Sequence, residues 1–217
     1  MKVTTDACIL GSWVPVPAEG NFLDIGTGTG LLALMLAQRS NGKIDAVELD
    51  RESFDQARKN AGRSPWSERI RMIHSDISDF QPGKKYDFII CNPPFFEEQL
   101  KSPSPKRNIA RHDETLNVAT LLTVIKKLLI RGNGKLAVLF PFNQSDYFIS
   151  TAAKKGLFLH QKLLIRDNLK KEVTRCVMIF GWVPASEIKT ESLLINDDSG
   201  KYTPEFVELL KDFYLHL

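Results

Sequence analysis

Apolar runs of strand length alternate along this chain with longer stretches of helical periodicity, in regular succession. The apolar runs, each bounded by turn residues, predict strands at residues 21–25, 43–48, 70–74, 86–91 and 135–140. Between them the pattern predicts helices at 29–39, 51–61 and 115–131. That alternation implies a parallel sheet covered by helices on both faces. Gly132-Asn133-Gly134 punctuates the chain before the fifth strand, and a helix near 144–155 follows it. Strands near 157–166 and 173–182, joined by the polar segment 167–172, read as an antiparallel hairpin at the sheet edge. Thr203 and Pro204 supply the capping hydroxyl and first-turn proline that open a final helix, 204–213. The expectation is an α/β fold in a single domain, residues 1–217, without internal repeats or a linker.

Two strand ends carry candidate chemistry. The run 86–91 ends in Asn92-Pro93-Pro94-Phe95. Neither proline can donate a backbone hydrogen bond and each restricts the residue before it, so the chain leaves the sheet in a fixed extended shape. The Asn92 side-chain oxygen and the Pro93 carbonyl then offer two acceptors for one NH2 group, and Phe95 offers a flat face for stacking. Such a site suits a planar aromatic amine; the bland reading is a loop signal with Phe95 in the core. Upstream, Asp24-Ile25-Gly26-Thr27-Gly28-Thr29-Gly30 joins a strand to a helix N-terminus, with glycines that allow positive φ and close approach of a ligand. A dinucleotide fingerprint requires glycine where this chain has Leu31, and Asp24 would repel a pyrophosphate, which disfavours a nicotinamide oxidoreductase. The loop favours a cationic or zwitterionic cofactor. Glu48 ends the second strand at roughly the spacing at which an acid meets ribose hydroxyls, which implies a nucleoside end.

Composition narrows the classes further. At 217 residues and 43% apolar content the chain can bury one sizeable core. No apolar run approaches the roughly 20 residues needed to span a bilayer, and the start lacks a secretory pattern, so the expected location is cytoplasmic. Cys8, Cys91 and Cys176 are widely spaced and only four histidines are present, which suggests neither a disulfide framework nor a metal site. Cys91 ends a buried run and reads as an inert small hydrophobe. The net charge of +3 does not by itself demand a nucleic acid, so the distribution of charge matters more. Lys101, Lys106, Arg107, Arg111 and His112 fall in the polar stretch 97–113 directly after Asn-Pro-Pro-Phe, where contact with phosphates is expected. A second run, with Lys162, Arg166, Lys170, Lys171 and Arg175, is interrupted by Asp167 and Glu172 and is equally compatible with a solvated surface.

In this order along the chain, these motifs resemble those of class I S-adenosylmethionine-dependent methyltransferases, with a Rossmann-like, seven-stranded, mostly parallel sheet. Asn92-Pro93-Pro94-Phe95 looks like the signature of enzymes that methylate the exocyclic nitrogen of a nucleobase or the amide nitrogen of glutamine. Over nearly its full length the chain resembles the bacterial tRNA(Val) adenine-37 N6-methyltransferases, through 1–6 with Leu10-Gly11-Ser12-Trp13, residues 32–39, Asp45-Ala46-Val47-Glu48-Leu49, Ser64-Pro65-Trp66, Ala110-Arg111-His112 and Asp212-Phe213-Tyr214-Leu215.

The resemblance implies S-adenosylmethionine as cofactor, held by Thr5, Asp6, Asp24, Gly26, Thr27, Gly28, Gly30, Glu48, Leu49, Asp76, Ile77 and Asn92. It implies Asn92, Pro93 and Phe95 as the catalytic set, tRNA as substrate with contacts at Lys101, Lys106, Arg107, Arg111 and His112, and neither a metal nor an obligate protein partner. Three departures stand out: Thr4 where the family has glycine, Phe95 where it commonly has tyrosine, and a family segment that precedes the position of Met1. Methylation of another amine in rRNA, DNA or a protein glutamine, and a non-catalytic RNA-binding protein, are the alternatives.

Overall fold

The computed structural model describes residues 4–93 and 117–216. The elements follow one another as α1 (Thr5–Trp13), β1 (Asn21–Ile25), α2 (Leu31–Arg39), β2 (Lys43–Glu48), α3 (Arg51–Gly62), β3 (Ile70–His74) and β4 (Phe88–Cys91). They continue as α4 (Val118–Leu128), β5 (Lys135–Pro141), α5 (Ser145–Lys154), β6 (Phe158–Arg166), β7 (Arg175–Gly181), β8 (Lys189–Leu194) and α6 (Pro204–Leu210). One sheet contains these strands in the order β3-β2-β1-β4-β5-β7-β6-β8. Only β7 runs against its neighbours. The ends of β1, β2, β3, β4 and β5 that carry the candidate residues therefore lie on one edge, joined there by the start of β7.

Side chains alternate across the sheet and build a core on each face. Phe22, Ile44, Ala46, Phe88, Ile90, Ala137 and Leu139 pack with α1, α2 and α6 on one side. Leu23, Ile25, Val47, Ile89, Leu136, Val138 and Phe140 pack with α4 and α5 on the other. A polar tie crosses the apolar layers at Asp45. It accepts from the Tyr86 hydroxyl at 2.6 Å and from Arg71 at 3.0 and 3.1 Å, with Lys84 at 3.0 Å, so β2 and β3 are linked to the segment entering β4. Burial opposes ionisation of Asp45, but these donors outweigh it and hold the carboxyl below its usual range.

The sequence-predicted sheet needs one correction. The structure has eight strands where seven are expected, and the hairpin of β6 and β7 is not the edge, because β8 adds to β6 in parallel. The segment Lys-Thr-Glu-Ser-Leu-Leu is mostly exposed, so its apolar signal is faint. Helix α1 was also absent from the sequence pattern. Its residues Ala7 to Ser12 are all buried, so it lacks the polar face by which an amphipathic helix is read. Helix α4 stops at Leu128 rather than 131, as Leu129 turns extended and bridges to Tyr86.

Candidate active site

The glycine loop is built around one buried acid. Asp24 is fully buried at the end of β1. Its Oδ2 accepts from Thr27 Oγ1 at 2.5 Å and from the Ala33 amide at 3.1 Å, fastening the loop to the first turn of α2. The amides of Gly26 and Thr27 both donate to the Val47 carbonyl, at 2.9 and 3.0 Å, which seats the loop on β2. Gly26, Gly28 and Gly30 have φ of 68°, 59° and 85°, a region that L side chains adopt only under strain. The reasons for the glycines differ. A Cβ at Gly30 would stand 3.2 Å from Met72 Cε and 3.4 Å from Ala57 Cβ, so Gly30 serves packing against α3 and β3; a Cβ at Gly26 would meet nothing within 4 Å.

Burial lifts the Asp24 carboxyl from 3.8 to about 7; the Thr27 hydroxyl and Ala33 amide partly oppose this, and the nearby Glu48 adds to it. The folded protein thus holds a proton that the unfolded chain releases above pH 3.8. Stability is expected to fall as pH rises from about 4 to 7 and to level off beyond, by at most about 4 kcal/mol. Asp24→Asn keeps an acceptor for Thr27 and Ala33 but cannot ionise, so it is expected to flatten this slope. Chemical denaturation of both proteins across that range checks the assignment, and an identical slope in the variant would place the dependence on another group.

Glu48, nearly buried at the end of β2, spans the loop and the next helix. Its Oε2 accepts from the Gly28 amide at 2.7 Å and its Oε1 from the Asp50 amide at 2.9 Å. Asp50 in turn caps α3, accepting from Ser53 N at 2.8 Å. Leu49, between them, is 62% exposed and presents an apolar surface at the strand end. After β3, the Ser75 amide donates to the Glu48 carbonyl at 3.1 Å, which brings Asp76 next to the end of β2. Asp76 Oδ1 accepts from Ser78 N at 2.7 Å, while the Ile77 side chain is 7% exposed and belongs to the core. Only the backbone of Ile77 is available to a ligand.

At the end of β4, Asn92 is half-buried and Pro93 is buried. The Asn92 Oδ1 atom is itself buried and has no hydrogen-bond partner among the described residues. A buried amide oxygen left so costs free energy that an incoming N–H donor would recover. Register places Cys91 beside Ile25 on β1 and Val138 on β5, so Asn92 follows directly where the glycine loop begins. Burial pushes the Cys91 thiol far above its ordinary value, which leaves it no part as a nucleophile.

Thr5 and Asp6 open α1, whose first turn is capped by Thr4 Oγ1 accepting from Ala7 N at 3.3 Å. Asp6 Oδ2 stands 3.9 Å from Arg175 Nε at the start of β7. Burial raises the Asp6 carboxyl and Arg175 offsets part of the rise. This pairing escaped the sequence reading; its signal was the reversed direction of β7, which returns Arg175 to the carboxyl edge. Phe95, Lys101, Lys106, Arg107, Arg111 and His112 lie outside the described residues. No group of three or more His, Cys, Asp or Glu side chains able to hold a metal ion occurs among the described residues, and no helix there is long and apolar enough to cross a membrane.

A glycine loop on β1, an acid on β2, an Asp after β3 and Asn-Pro after β4, on this strand order, define a class I S-adenosylmethionine-dependent methyltransferase. The family model of the methyltransferase small domain matches residues 3–136. Among solved structures, a predicted O-methyltransferase from Agrobacterium tumefaciens shares the fold with a TM-score of 0.69 at 18% identity over 95% of each chain. A methyltransferase from Pyrococcus furiosus does so with a TM-score of 0.61 at 21% identity over 83% of each chain. Closer in sequence is a tRNA1(Val) (adenine(37)-N6)-methyltransferase of Dyadobacter fermentans, 42% identical over 99% of this chain and 91% of its own. One of the same name from Trichodesmium erythraeum is 44% identical over 99% and 91%. The chain belongs to this tRNA1(Val) (adenine(37)-N6)-methyltransferase family.

Proposed function

We propose that this chain transfers the methyl group of S-adenosylmethionine to the exocyclic N6 of an adenine in tRNA, at adenine 37 of tRNA(Val), acting as one domain in the cytoplasm. The observation that carries the reading is the buried Asn92 Oδ1 at the end of β4, next to Pro93, an atom that has no hydrogen-bond partner among the described residues. The names of the full-length relatives support the choice of RNA.

The loop from Asp24 to Gly30, with Thr5, Asp6, Glu48, Leu49, Asp76 and the Ile77 backbone, holds the cofactor. Glu48 uses one lone-pair site on each oxygen for Gly28 and Asp50 and keeps others for ribose hydroxyls. Leu49 gives the adenine ring of the cofactor an apolar face. When bound, S-adenosylmethionine supplies a methyl group on a sulfonium, an electrophile that needs an aligned nucleophile.

Asn92 and Pro93 provide that alignment. The target amino group donates its two hydrogens to Asn92 Oδ1 and the Pro93 carbonyl, which draws lone-pair density from the purine ring back onto nitrogen. Phe95 stacks on the ring and fixes its plane. A base in the anticodon loop is already partly unstacked, so turning it into the site costs less than extraction from a duplex. Alignment and electrostatics supply the acceleration. As the N–CH3 bond forms the S–CH3 bond breaks and S-adenosylhomocysteine leaves; the methylated nitrogen, cationic and strongly acidic, gives one proton to water, so no base with a tuned pKa is called on. Lys101, Lys106, Arg107, Arg111 and His112 meet the phosphates.

The test is transfer of radiolabelled methyl from S-adenosylmethionine to unmodified tRNA(Val) and to total RNA, with mass spectrometry of the nucleosides. N6-methyladenosine at position 37 is the expected product. Cofactor binding with no transfer to tRNA would overturn the substrate and turn the search to rRNA, DNA or protein glutamine.

A further inference from the structure

Most of the candidate residues occupy one half of the sheet edge: the glycine loop on β1, Glu48 on β2, Asp76 after β3, with Asn92 following β4 at the boundary, while Asp6 reaches across to the start of β7. The other half, made by β5, β7 and β6, has to receive whatever surrounds the target base. Close to the end of β5 it presents Phe142, which follows Pro141 directly and is 37% exposed. The neighbouring rings show that the fold can bury phenylalanine here. Phe140 and Phe148 are fully buried, with centroids 4.9 Å apart. Phe142 is nevertheless held firmly. Its amide donates to the Thr174 carbonyl at 3.0 Å, and Lys162 Nζ stands 5.0 Å from its ring centroid. That ammonium is itself fixed by donating to the buried Ser145 hydroxyl at 2.9 Å. A ring gripped by a cation and exposed over a third of its surface is a ready platform for a second π-system.

Register fixes what can reach it. Cys91 pairs with Val138, so Asn92 is level with Leu139, and Phe142 lies three residues further on, just past the end of β5. At the rise of a strand this is about 10 Å beyond Asn92 and about 5 Å to the side. That separation is too great for the base whose amine Asn92 grips. It suits the adjoining nucleotide of a splayed single strand. Two further members of the second basic run are engaged within the protein: Lys171 pairs with Asp167 at 2.8 Å and Arg175 faces Asp6.

We infer that Phe142, backed by Lys162, stacks on the unpaired nucleobase next to the methylated adenine and so positions the RNA. This rests on the RNA reading above. The experiment combines RNA binding, steady-state transfer to an anticodon stem-loop, and 2-aminopurine fluorescence with the probe placed in turn at each nucleotide flanking the target. Phe142→Ala is expected to raise KM for the stem-loop about tenfold, with a smaller change in kcat and an unaltered affinity for S-adenosylmethionine. Phe142→Trp is expected to retain binding. Wild-type enzyme should quench the probe at one flanking position, and Phe142→Ala should leave it bright. Equal KM and equal quenching in wild type and Phe142→Ala would overturn the inference while leaving the RNA reading intact. Absence of transfer by the wild type to any tRNA or stem-loop would overturn both.

Discussion

Asn92→Ala is expected to lower the rate of methyl transfer about 10²- to 10³-fold, the usual loss when one oriented polar group is removed from a reacting centre. Cofactor affinity is expected to stay within about twofold, because the proposed cofactor contacts lie chiefly on the glycine loop and Glu48 on neighbouring strands. The buried Oδ1 of Asn92 has no partner among the described residues and is open to an incoming N–H. An amino group on a purine is a poor nucleophile because its lone pair is delocalised into the ring. Two acceptors on its hydrogens favour the geometry in which that pair points out of the plane, an interaction that strengthens towards the transition state and so appears in kcat. Asn92→Asp separates geometry from charge. It preserves an acceptor but introduces a carboxylate at a half-buried position, and is expected to fall between wild type and alanine. Single-turnover transfer with calorimetry of S-adenosylmethionine measures both quantities. Parallel losses of rate and cofactor affinity in Asn92→Ala would assign Asn92 to cofactor binding instead.

Much of this site was legible in the sequence because its residues sit at strand ends, where an apolar run meets a conspicuous change of chemistry. The run into Asn92-Pro93 and the run into Asp24-Ile25-Gly26 each announce a buried strand and its exit, and the observed strands β4 and β1 end there. Glu48 was legible by spacing alone. What the pattern did not reveal were contacts set by topology. The antiparallel β7 brings Arg175 to Asp6 across 168 intervening positions, and no local rhythm encodes that return. Helix α1 hid because it is buried all round, and β8 because it is mostly exposed: both lack the contrast between faces on which periodicity depends. Gly30 shows a subtler limit. Its place in the motif suggests close approach of a ligand, yet the atoms that exclude a side chain there are those of Met72 and Ala57.

Glu48→Gln is expected to weaken S-adenosylmethionine binding about 30- to 100-fold, as loss of charge-assisted hydrogen bonds costs about 2–3 kcal/mol. The carboxylate now accepts from two amides at once, Gly28 through Oε2 and Asp50 through Oε1. An amide side chain has only one oxygen to offer. Its NH2 would point at one of those two N–H groups, donor against donor, so either the glycine loop or the start of α3 loses its tether. The same substitution removes one acceptor for the ribose diol, and the two losses fall on one ligand. Because the tether at Gly28 shapes the loop before any ligand arrives, part of the loss is one of preorganisation and should appear without cofactor, as faster hydrogen exchange at whichever of the Gly28 and Asp50 amides is released. Glu48→Asp is the informative companion: it keeps the charge but shortens the reach by one methylene, and is expected to lose affinity through displacement of the loop. Cofactor affinity unchanged in Glu48→Gln, with faster exchange at one of the two amides, would reduce Glu48 to a support for the loop and remove it from the ribose.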